Sequence, residues 1–145
     1  MVLYYLTNKQ IQSKKQMQLL MQTCSGDDGE RVLIQLLLNK LRCEDSYLKI
    51  KRIKQIINQK VAIIKAINDM LFDIGLVVYN ADIVDEKLKH SIEKNSEDIL
   101  NIQKILIIKY YCLLSKMEDE QNKKILSNII KISLNIRNQL QEIFN

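Results

Sequence analysis

The 145-residue chain has no proline, no tryptophan, three glycines and one histidine. Each scarcity excludes something. Without proline and with so little glycine, the chain lacks the turn punctuation that sandwiches, barrels and doubly wound sheets require. Three glycines cannot build a dinucleotide fingerprint, and Gly26 and Gly29 are not followed by the Gly-Lys-Ser/Thr of a phosphate loop. One histidine cannot supply the two Glu-x-x-His motifs of a four-helix di-iron bundle. That residue, His90, lies between lysines in Lys87-Leu88-Lys89-His90-Ser91, the setting of a solvated surface imidazole rather than a buried catalytic base. No run of apolar residues approaches the 18 or more needed for a membrane span, and the apolar N-terminal stretch is too short for a signal peptide. Cys24, Cys43 and Cys112 are odd in number and widely spaced, which argues against a disulfide framework and a zinc site. They point to the cytoplasm or another reducing compartment.

What is abundant is isoleucine, leucine, lysine, asparagine and glutamine, with 23 Ile, 20 Leu and 18 Lys against 4 Arg. Codons for Ile, Lys and Asn are A/T-rich, so base composition supplies part of this excess and weakens lysine as a sign of nucleic-acid binding. The order of the isoleucines is not a codon effect. Ile50, Ile53, Ile57, Lys60, Ile64, Ile67, Leu71 and Ile74 alternate by three and four, and Ile56, Ile63 and Met70 widen the stripe. Lys60 is its one polar interruption, and neighbouring Val61 is expected to fill the gap. Ile125, Ile129, Ile132, Ile136, Leu140 and Ile143 form a second stripe. Such 3/4 spacing marks amphipathic helices packed in a bundle or coiled coil.

These patterns predict an all-α, single-domain helical bundle over 1–145, with five to six helices, two or three of them long and amphipathic, and no β-sheet. Helices are expected over 2–24, 30–42, roughly 46–73, 83–94, 97–117 and from the Glu118-Asp119-Glu120 turn to the C-terminus. The first carries only Ile11 between Asn8 and Gln16, so its middle is expected to be solvated. The second is apolar on nearly every side and should be central. Leu76–Tyr79 is the one stretch with β character, and the boundaries near Gly75 and Asn95 are the least marked.

The net charge of +5 is unevenly spread: residues 1–65 carry +7, residues 66–98 carry −5 and residues 99–145 carry +3. The local excess makes a basic face, Lys49, Lys51, Arg52, Lys54 and Lys65, the candidate surface for nucleic acid or an acidic partner. No aromatics interleave with it for base stacking. Asp69 and Asp73, four apart on one helix, form the only carboxylate pair worth testing for a hard cation, and they are more simply a solvated face. The aromatic pairs Tyr4-Tyr5 and Tyr110-Tyr111 are the candidate interface anchors; within a pair the two rings point about 100° apart, so one can face the core and the other a partner.

The missing catalytic vocabulary, together with helices that overhang a compact bundle of this size, predicts a non-enzymatic protein that works by protein contacts. That means a complex subunit, adaptor or chaperone-like module, with a protein partner or self-association. A nucleic-acid-associated accessory protein using the 49–65 face is the alternative. Neither a catalytic residue, a cofactor nor a metal site is expected.

Overall fold

A computed structural model describes residues 8–73 and 96–144, which form five α-helices: α1 (Asn8–Ser25), α2 (Glu30–Cys43), α3 (Tyr47–Asp73), α4 (Ser96–Lys116) and α5 (Glu120–Phe144). No strand occurs among these residues. The all-α class is as the sequence predicts. Tyr4, Tyr5, His90, the Leu76–Tyr79 stretch, the helix expected over 83–94 and the boundaries near Gly75 and Asn95 lie outside the described residues.

With no proline available, short polar residues end the helices. Gly26 donates its N–H to the Gln22 carbonyl at 2.9 Å, and a Cβ at Gly26 would lie 2.6 Å from that same oxygen. Only glycine lets the chain leave α1 so tightly. Gly29 begins α2 in extended conformation, its carbonyl accepting from Leu33 N–H at 3.1 Å. Ser46 begins α3: its carbonyl accepts from Ile50 N–H at 2.9 Å, and its side chain faces Lys49 N–H. Asp119 caps α5 through its carboxylate, 2.9 Å from Gln121 N. A side-chain cap of this kind typically contributes about 1 kcal/mol.

α2 packs against α1, α3 and α4, and every residue from Glu30 to Leu41 is buried or half-buried. Its apolar circumference leaves it no other stable place. α4 and α5 form an antiparallel hairpin with the most extensive helix–helix contact, and α3, about 40 Å long, lies against α1, α2 and α5. One core joins all five, from Leu20 and Cys24 through Leu33, Leu37, Ile53, Ile67, Leu106 and Leu113 to Leu126 and Ile143.

The faces that turn inward follow the expected stripes with a few positions changed. On α3 the fully buried residues are Ile53, Ile56, Lys60, Ile63, Ile67, Met70 and Leu71, all members of the expected stripe, whereas its Ile57 and Ile64 are half-buried. Lys60 therefore lies at the centre of the buried face. Val61 does not fill its place but points to solvent. On α5, Ser133 is buried and Ile132 is at the surface; on α4, Ile107 is buried and Ile105 is exposed. Lys60 of α3 and Gln103 of α4 are held in the interior by partners on other helices, whereas Ser133 of α5 offers its main-chain carbonyl to Gln103.

Candidate functional site

The polar centre begins at Glu30, the first residue of α2, wholly buried under α3 and α4. One carboxylate oxygen accepts from Lys60 Nζ of α3 at 2.8 Å, and the other from the Tyr110 hydroxyl of α4 at 2.7 Å. Lys60 donates a second time to Gln103 Oε1 of α4 at 2.5 Å, and Gln103 Nε2 donates to the Ser133 carbonyl of α5 at 2.9 Å. Thr23 of α1, whose hydroxyl donates to the Leu20 carbonyl at 2.6 Å, borders the Tyr110 hydroxyl. Four helices, α2 to α5, thus meet at one chain of hydrogen bonds, with Thr23 of α1 beside it. Lys60, Glu30, Gln103 and Tyr110 are each 0% exposed.

Burial lowers the Lys60 pKa, and the attraction and hydrogen bond of Glu30 oppose that shift without cancelling it. Between the lowered value and the ordinary 10.5, the unfolded chain binds a proton that the folded chain does not. The Lys60 contribution to stability therefore rises with pH through that window. Burial, followed by the charge and hydrogen bond of Glu30, holds the Tyr110 pKa well above its ordinary value. Burial likewise raises the pKa of Cys24, against the opposing effect of Arg31. A lysine with a lowered pKa is a nucleophile where substrate can reach it. Here the ammonium is enclosed, bonded to a carboxylate and an amide oxygen. Chemically, the arrangement holds two opposite charges in place and fixes the register of four helices.

Sequence reasoning placed Tyr110 among the interface anchors. The structure corrects this, because the ring is wholly buried and its hydroxyl is bonded to Glu30, while adjacent Tyr111 is 50% exposed. The sequence marks Glu30 only as an acid favourably placed in the first turn of α2, and it does not mark Gln103 or Ser133. The available signal was phase: Gln103 falls in step with Ile99, Ile102 and Leu106, and Ser133 with Ile129 and Ile136, as Lys60 does on α3.

The basic face divides. Lys51, Lys54 and Lys65 are exposed and, at 100° per residue, lie within about 60° of one another on the outer side of α3. Lys49 is exposed but turned to another side of the helix, and half-buried Arg52 is bound to Glu142 of α5 at 2.5 Å. Tyr47 and Phe72, both strongly exposed, stand on the same side of α3 as the three lysines, one at each end. Asp69 is exposed on that side too.

The outer side of α4 is the other distinct surface. Asn101, Ile105, Ile108, Cys112 and Ser115 are all exposed, spaced 4, 3, 4 and 3, and none is charged. Ile108, at the middle, is 59% exposed. Among the described residues no three His, Cys, Asp or Glu side chains cluster as metal ligands, and no helix is long and apolar enough to cross a membrane. Cys24, Cys43 and Cys112 are free thiols, the first buried and the others exposed. Comparison with family models, with curated proteins and with solved structures finds no significant match.

Proposed function

We propose that the protein is a non-enzymatic helical interaction module, a subunit, adaptor or chaperone-like component, acting through its outer helix faces in a reducing compartment. The observation that carries this reading is the solvent-facing apolar surface of α4, where Ile105, Ile108 and Tyr111 project outward together. Single exposed apolar residues are ordinary, but a contiguous row marks a contact surface. The buried groups with shifted pKa values support the same reading, since they are committed to one another across the core.

A second reading, binding of nucleic acid, is favoured by Lys51, Lys54 and Lys65 on one side of α3 with Tyr47 and Phe72 at its ends. The two readings differ in their response to salt. Phosphate contacts release counterions and weaken steeply with salt, while apolar contact is not screened. Three lysines are a small footprint, so the chain is expected to leave heparin, DNA and RNA columns below about 0.15 M salt. Retention on RNA or DNA well beyond that concentration would overturn the interaction-module reading in favour of the second.

A further inference from the structure

We infer that α1 is a strap that lifts from the other four helices as a unit, turning about residues 26–29, while α2 to α5 stay assembled around the polar centre. This goes beyond the interaction-module reading and does not depend on it.

The chain of hydrogen bonds is complete without α1. Glu30 is held by Lys60 of α3 and Tyr110 of α4, and Gln103 of α4 links Lys60 to α5. Thr23, the α1 side chain that borders the Tyr110 hydroxyl, donates to the Leu20 carbonyl of its own helix. Lifting α1 therefore breaks no link among the other four helices. What it gives up is packing, and that packing is short. The apolar side chains of α1 that join the core are Met17, Leu19, Leu20, Met21 and Cys24, which occupy the last 10 Å or so of a helix about 27 Å long. Between Asn8 and Gln16 the only apolar residue is Ile11. By contrast, the buried line of α3 runs about 27 Å from Ile53 to Leu71, and that of α5 about 26 Å from Leu126 to Ile143. A helix draws most of its stability from an apolar face packed against its neighbours, and α1 has such a face at one end only. Gln16 Nε2 also donates to the Lys116 carbonyl of α4 at 2.6 Å, at an exposed position where water replaces it at little cost.

The connection to α2 supplies a pivot with one fixed side. It carries two glycines in four residues, with Ser25 and Asp27 exposed beside them. Glycine absorbs the change of backbone angles that a hinge needs. Immediately after Gly29, Glu30 is clamped by its two partners, so α2 stays in place while α1 turns. The lifted state admits water to the Tyr110 hydroxyl and the Glu30 oxygen bonded to it. Lys60, whose partners are on α2 and α4, stays closed.

Native-state hydrogen exchange of the full chain, read amide by amide by NMR, tests this. The amides of α1 are expected to exchange about 100-fold faster than the slowest amides of α3, α4 and α5, yet measurably slower than in an unfolded chain. The Cys24 thiol, buried in the closed state, is expected to be alkylated by N-ethylmaleimide about 100-fold faster than global unfolding allows. Ile136→Val shows whether α1 moves alone. It trims a buried α5 side chain by one methyl group, a change small enough to keep the protein folded. It weakens the closed and lifted states equally, so the slowest α5 amides are expected to exchange about 5-fold faster and the α1 amides at an unchanged rate. α1 amides as protected as those of α5, α1 amides that accelerate with Ile136→Val, or α1 amides with no protection each overturn the strap. None of these outcomes touches the salt test, on which the module reading stands or falls separately.

Discussion

Replacing Glu30 by glutamine is expected to destabilise the protein by about 3–5 kcal/mol, and replacing Lys60 by methionine to do the same. Each single change leaves the opposite charge enclosed without its counter-ion, among side chains that are 0% exposed. Glu30→Gln strands the Lys60 ammonium between two amide oxygens; Lys60→Met strands a carboxylate whose remaining donor is Tyr110. For a chain of this length the loss corresponds to a melting temperature lower by about 10 °C. The double variant is expected to recover most of the loss or to exceed the wild type. Methionine matches the lysine stem in volume, and the glutamine oxygen still accepts from Tyr110. The lowered pKa of Lys60 is the reason to expect recovery, because it means that desolvation outweighs the attraction between the partners. Urea unfolding of the four proteins forms a double-mutant cycle. Additive losses in the double variant would show that the two charges do not depend on each other.

Tyr110→Phe removes one hydrogen bond to a buried carboxylate and little volume, so its expected cost is about 1.5–3 kcal/mol at neutral pH. Its pH dependence is the more specific signature. The folded state holds the phenol proton well above the ordinary value of 10.0, at which the unfolded chain releases it. Above that pH the unfolded state binds fewer protons than the folded state, and this contribution to stability falls as pH rises. The gap between wild type and Tyr110→Phe is therefore expected at pH 8 and should narrow at pH 11. A gap of constant size across that range, measured by urea unfolding, would contradict the burial and bonding of Tyr110.

The helical class was legible because proline and glycine are scarce and isoleucine repeats at three and four. Helix ends were legible where Gly26, Gly29, Ser46 and Asp119 leave the chain few alternatives. The polar centre was not. Periodicity scores a lysine inside an isoleucine stripe as an interruption, and only the approach of Glu30 and Gln103, 30 and 43 residues away, makes it a core residue. Spacing alone likewise does not show that Ser133 turns inward and Ile132 outward. Surface roles were legible in part. The sequence groups Lys49 and Arg52 with Lys51, Lys54 and Lys65, and only the folded helix turns Lys49 to another side and brings Arg52 to Glu142, 90 residues away on α5. The uncharged outer seam of α4 was hidden because its isoleucines read as core; a helix apolar on both sides shows which side is covered only when its neighbours are placed.

The central claim is that the interior polar groups are closed and structural, leaving contact to the outer faces. Reductive methylation of the native chain, read residue by residue by mass spectrometry, tests it most directly. A lysine with a lowered pKa is the most reactive amine in a protein if reagent reaches it, so the test is sensitive. Lys51, Lys54 and Lys65 are expected to be modified and Lys60 to remain untouched until the chain is unfolded. Modification of Lys60 in the folded protein at the rate of Lys54 would contradict the account, because it would show an accessible nucleophile beside a carboxylate and a phenol.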